Sequence, residues 1–128
     1  RVEKGKNYGW PVITYGLEDS GAKVGDGITA KEGMEQPVYY WKPSIGTSGL
    51  ALYKGELFKD WQGNLLAGGL AKPRLERLVL KDGKVIAKEV LLSDRRERVR
   101  DVRVGPDGLL YVLTDEKAGR LLRFEPAT

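Results

Sequence analysis

The stretch Arg98-Val99-Arg100-Asp101-Val102-Arg103-Val104-Gly105-Pro106-Asp107-Gly108-Leu109-Leu110-Tyr111-Val112-Leu113-Thr114 reads as two strands folded back on each other. Arg100–Val104 and Leu109–Thr114 are β-type runs, and Leu109–Leu113 is apolar enough to be a buried strand. Asp107-Gly108 lies between them, and Asp-Gly suits a tight hairpin because Gly accepts the positive φ of a primed turn. Arg120–Phe124 follows as a third run. Further back, Asp82-Gly83 separates Arg74–Leu80 from Val85–Leu92 in the same way. The remaining β-type runs are Pro11–Tyr15, Pro37–Trp41, Gly49–Tyr53 and Asn64–Gly68, which makes about nine strands in all. Helical patterning is scarce.

Laid on each other, the two parts of the sequence show a weak repeat. Gly49–Tyr53, Asn64–Gly68 and Arg74–Leu80 correspond to Arg100–Val104, Leu109–Thr114 and Arg120–Phe124, displaced by about 45 to 52 residues, the spacing of four-stranded propeller blades. The second unit stops after three strands, and in propellers the last strand is commonly supplied by the other terminus. The expected fold is therefore all-β, a portion of a β-propeller. Residues 1–48 form a part-blade and long connection, residues 49–92 one blade, and residues 93–128 a closing blade lacking its last strand. At ~45 residues per blade, 128 residues make fewer than three blades, and closure needs roughly four to eight. The chain is thus expected to be part of a longer protein or to need a partner. A sandwich of about nine strands competes, since Asp-Gly hairpins serve both folds.

Composition narrows the chemistry. The chain has no His and no Cys. Histidine is the commonest general base near neutral pH and the commonest transition-metal ligand, so a self-contained hydrolase triad or zinc site is not expected. Lys and Arg total 22 against 18 Asp and Glu, a net charge of +4, and both signs are mixed along the chain. That pattern lacks the dense basic stripe of a nucleic-acid binder. No apolar run approaches the ~20 residues of a membrane-spanning helix. Arg1-Val2-Glu3-Lys4 does not resemble a signal segment.

Four motifs in order carry a resemblance that spans essentially the whole chain. They are Gly5-Lys-Asn-Tyr-Gly-Trp-Pro11, Gln36-Pro-Val-Tyr-Tyr-Trp-Lys-Pro-Ser-Ile-Gly-Thr-Ser-Gly49, Arg98 through Gly108, and Tyr111-Val-Leu-Thr-Asp115 with Gly119-Arg-Leu-Leu-Arg123. Together they resemble the soluble glucose/sorbosone dehydrogenase family, six-bladed propellers that carry pyrroloquinoline quinone (PQQ). The resemblance implies that this chain covers roughly the last two to three blades. It implies oxidation of the C1 hydroxyl of an aldose to a lactone, with PQQ as hydride acceptor, calcium polarising the cofactor and a histidine as base. The histidine and the calcium ligands are then expected upstream of Arg1, so neither a catalytic residue nor a metal ligand is expected in this chain. Partners implied are the aldose, the missing N-terminal blades and an electron acceptor. The family also implies a periplasmic or extracellular location. The short connection before Gln36 fits the broad-specificity aldose branch.

Site residues follow from the same motifs. PQQ carries three carboxylates, and the planar guanidinium fork meets a carboxylate with two parallel hydrogen bonds. Arg98 and Arg100 match the family's PQQ-contacting pair, and a spacing of two puts both on one face of an extended segment. Read without the family they are better taken as part of a solvated charge cluster, beside Arg95, Arg96, Glu97, Asp101 and Arg103. Trp41 matches a tryptophan beside sugar and cofactor, where an indole face packs against sugar C–H groups; alone it reads as a core residue. Ser44 matches a hydroxyl residue that hydrogen-bonds PQQ. Val38 falls where some glucose-oxidising relatives have Tyr, which argues against tight glucose preference. Lys72 stands one position past the point where the family places a PQQ-contacting Lys, and one residue of slip flips a strand side chain. Cofactor ligand and solvated turn residue both stay open for it. Asp115 reads as a turn or cap residue, Trp10 and Trp61 as packing residues, and Glu32, Glu35 and Asp26 give no reason to expect a metal. Two other functions remain: a non-catalytic propeller binding module, and a subunit completed by a partner chain.

Overall fold

The computed structural model describes residues 1–92 and 96–127. The expected start of the third segment at residue 93, and Arg95 of the charged cluster, lie outside the described residues. Two compact units are present, Arg1–Ser44 and Ile45–Thr128.

The second unit is built of antiparallel strands. β1 (Thr47–Leu52), β2 (Leu65–Gly69), β3 (Arg74–Lys81) and β4 (Lys84–Leu91) form one sheet in that order, and β5 (Val99–Val104), β6 (Leu110–Thr114) and β7 (Leu121–Phe124) form another. The only helical element among the described residues is a single 3-10 turn, Lys59–Trp61. The Asp82-Gly83 turn is of the primed kind, with φ of 52° and 74°. The second Asp-Gly differs, because only Gly108 has a positive φ, 79°. Here the loop begins at Gly105-Pro106, and Pro presets the turn. Asp107 instead accepts bonds from the Leu109 N–H at 3.0 Å and the Tyr111 hydroxyl at 2.6 Å.

The core lies where the two sheets meet. Tyr53, Leu66, Leu75, Val99, Val102, Leu110 and Val112 are fully buried in one cluster. Each such aliphatic side chain contributes roughly 1.5–3 kcal/mol by leaving water. Two glycines set how close the sheets come. A Cβ on Gly49 would stand 2.8 Å from both Asp101 Cα and Val102 N, and one on Gly68 would stand 2.5 Å from Val99 Cγ1. Across the same seam, Ser48 donates to the Val99 carbonyl. The buried Tyr53 hydroxyl donates to the Gly108 carbonyl at 2.8 Å and accepts from the Phe58 N–H at 3.0 Å. Trp61 stacks on Phe58 at 4.4 Å and packs on the core, as its sequence reading expects.

The first unit departs from expectation. Neither Pro11–Tyr15 nor Pro37–Trp41 forms a strand. The N–H groups of Val12 and Ile13 both turn back to the Gly9 carbonyl, at 2.7 and 2.9 Å, so they are not available to a ladder. Pro37 and Pro43 have no N–H to give. What remains is two isolated bridges, Ile13 with Ile28 and Leu17 with Lys23. Trp10 is also not a packing residue, since it is 70% exposed. Gly9, at φ 98°, leaves the space that the Ile13 side chain fills, and Ile13 rather than Trp10 is buried.

Gly49→Val is expected to lower stability by about 1–3 kcal/mol, because the obstacle is backbone and cannot rotate away. Urea unfolding reads this as a lower midpoint; an unchanged midpoint would mean the sheets do not touch at that point. The Asp107 bond holds the Tyr111 phenol above its ordinary 10.0 and, with the Leu109 N–H, draws the Asp107 carboxyl down. Asp107 therefore adds stability above its unfolded value, lost as pH falls through the lowered one. Tyr111 adds stability that is full below pH 10 and lost as pH rises through its own raised value. Ultraviolet titration of wild type against Tyr111→Phe is expected to show this phenol ionising late, and Asp107→Asn is expected to bring it down.

Candidate functional site

The expected site residues fall in both units. In the first, an open cleft of about 360 Å³ has five aromatic side chains on its lining, Tyr8, Trp10, Tyr15, Tyr40 and Trp41, with Ser44 beside them. Tyr15 and Tyr40 stack with ring centres 3.8 Å apart and planes 7° from parallel. The Tyr15 hydroxyl bonds Gln36 Oε1 at 3.0 Å, and Gln36 Nε2 donates to the Thr29 carbonyl at 2.9 Å. Gln36 thereby links Tyr15 to Thr29, and both of these line the cleft. Trp41 is half-buried and meets Tyr39 at 4.8 Å in a tilted pair. Two expected residues, Trp41 and Ser44, thus share one cavity. Val38 does not line it; it is exposed in a separate groove with Arg1, Lys6 and Tyr8. Glu35 lines the cleft and pairs with Lys6 at 3.5 Å.

In the second unit the arginines meet on one atom. Arg98 Nη2 and Arg100 Nη2 lie 3.3 and 2.9 Å from the same oxygen, Asp115 Oδ2. Both side chains remain about half exposed, 48% and 51%. The strand carrying them is not regular: pairing shifts between Val99, opposite Thr114, and Asp101, opposite Leu113. Burial explains the shift. Val99 and Val102 are both fully buried although three residues apart, and a period-two strand cannot bury both without an extra residue. The two arginines converge across this bulge rather than along a plain extended segment. Nearby charges are used elsewhere: Glu97 pairs with Arg120, and Asp101 with Arg103.

Asp115 was legible only as a turn residue. It does sit in the turn after β6, but it also gathers both guanidiniums. The signal that finds it is register, because pairing Thr114 with Val99 sets Asp115 beside Arg98. Lys72 lies exposed in the turn between β2 and β3, its N–H donating to the Ile45 carbonyl at 3.1 Å. No ion pair holds its ammonium among the described residues. No group of three or more acidic residues there gathers as a metal cage. Among the described residues, no helix is long and apolar enough to cross a membrane.

The family model for glucose/sorbosone dehydrogenases matches residues 1–123. The chain belongs to that family. An aldose sugar dehydrogenase of Escherichia coli is 46% identical over 97% of this chain and 34% of its own length. A crystal structure of a glucose dehydrogenase superposes with a TM-score of 0.88 at 49% identity, covering 96% of this chain and 36% of that one. The PQQ-bound aldose sugar dehydrogenase of Streptomyces coelicolor matches at 28% identity and TM-score 0.63, over 94% of this chain and 34% of that one. The chain thus spans about a third of the length of the curated relatives it matches.

Proposed function

We propose that the protein is a PQQ-dependent oxidoreductase that oxidises the C1 hydroxyl of aldose sugars to lactones, and that this chain supplies part of the cofactor and sugar pocket. The observation that carries the reading is the Arg98–Arg100 pair. Two guanidiniums drawn to one carboxylate oxygen, and still half exposed, fit a ligand bearing several carboxylates. When bound, PQQ supplies the hydride-accepting quinone. Arg98 and Arg100 hold its carboxylates, Ser44 adds a hydroxyl hydrogen bond, and Lys72 adds a cation from its exposed turn. Trp41 offers an indole face to cofactor and sugar and keeps water from the reacting carbon.

Oxidation at C1 removes a hydride from carbon and a proton from its hydroxyl. The chain has no histidine to take that proton, so in this reading the base belongs to parts of the protein beyond these residues. In this reading the β1–β4 sheet is one blade of a six-bladed propeller and the β5–β7 sheet is the closing blade, short of its outer strand. The protein works in the periplasm or outside the cell and passes electrons to an external acceptor.

Arg98→Ala and Arg100→Ala, made in the full-length protein, are each expected to weaken PQQ binding by roughly ten- to a hundredfold. That is the loss of one charge-assisted hydrogen bond of about 1.5–3 kcal/mol. Melting temperature is expected to move little, because exposed ion pairs contribute at most about 1 kcal/mol. Fluorescence titration with PQQ beside thermal unfolding measures both. Equal losses of binding and stability would make the pair a structural salt bridge.

A further inference from the structure

Two arginines two residues apart do not stay together unaided. Their charges repel, and each side chain gives up much rotamer freedom when held. Asp115 opposes both costs. Its Oδ2 accepts from Arg100 Nη2 and pairs with Arg98 Nη2. The residue is itself fixed through the backbone: its N–H donates to the Arg98 carbonyl at 2.7 Å, and the Arg98 N–H donates to the neighbouring Glu116 Oε1 at 3.0 Å. The backbone of Asp115 is therefore held beside the arginines at the start of the β5–β6 pairing, and its carboxylate reaches both from there. It engages one terminal nitrogen of each guanidinium. Each guanidinium carries five N–H donors, so most of them stay available, and the three side chains together keep a net positive charge.

The geometry points to Asp115 as a positioning residue that holds Arg98 and Arg100 together as a preformed receiver for a cofactor carboxylate. This rests on the PQQ reading above. The opposite role has the opposite sign. If Asp115 were an occupant that an incoming carboxylate had to displace, removing it would tighten binding and not weaken it. Coulomb attraction alone also favours tighter binding on its loss, since the site would gain one unit of net positive charge.

The test uses the full-length protein with Asp115→Ala and Asp115→Asn; the second keeps an acceptor oxygen and the side-chain shape should the first unfold. With no cofactor added, nitrogen-15 NMR of the guanidinium groups is expected to show Arg98 and Arg100 slowly exchanging in wild type and freely rotating in Asp115→Ala. With PQQ added, fluorescence titration is expected to give about tenfold weaker binding for Asp115→Ala and an intermediate loss for Asp115→Asn. In an Arg98→Ala, Arg100→Ala background, Asp115→Ala is expected to have no further effect. Unchanged or tighter PQQ binding by Asp115→Ala overturns the proposal, as does an equal loss in the background lacking both arginines. Failure of the parent reading is distinguishable, because the double arginine variant would then bind PQQ as wild type does. The guanidinium signals would in that case decide whether Asp115 orders the pair, and mobile signals in wild type would overturn that as well.

Discussion

The second unit depends on the close approach of β1 and β2 to β5. Side chains at Gly49 and Gly68 would push the four-stranded sheet off the three-stranded one, and the buried cluster from Tyr53 to Val112 would open to water. With those positions bare, the backbone of Asp101 and Val102 presses directly on Gly49. Val99 then takes the space over Gly68, and Val102 is buried as well, which requires the extra residue in β5. Sheet packing thus determines the bulge, and the bulge determines where Arg100 points. The placement of a half-exposed arginine at the surface is thus set by two glycines in the interior.

The strands of the second unit were legible because their signals are local. Alternating or continuous apolar runs bounded by Asp-Gly turns define seven strands within a few residues of their observed limits. One segment and one residue misread in the first unit show what local pattern misses. Val12-Ile13-Thr14 has strand composition, yet its amide groups are consumed by a turn at Gly9, and no property of the run itself reports that. Trp10 has the composition of a core residue, but the space beside Gly9 goes to Ile13. In both cases a neighbour with an unusual backbone angle overrides propensity.

The site was legible to a different depth. Arg98, Arg100, Trp41 and Ser44 stood out through motif, and the structure gathers them two by two, one pair on a cleft and one on a carboxylate. Their partners were harder to see. Asp115 becomes visible only once the β5–β6 register is known, and a bulge is the feature that makes register uncertain from spacing alone. The stacked pair of Tyr15 and Tyr40, 25 positions apart, depends on a loop path that carries no periodic signal.

Tyr53 has a wider effect than its place in the core conveys. Its hydroxyl joins the end of one sheet to the hairpin loop of the other across 55 residues of chain. That bond stabilises neither sheet by itself; it exists only when both are formed and docked. Losing either sheet breaks that bond together with the buried contacts of the seam, so each sheet depends on the other. The two sheets are thereby coupled, and the hairpin loop of one is tied to the strand end of the other.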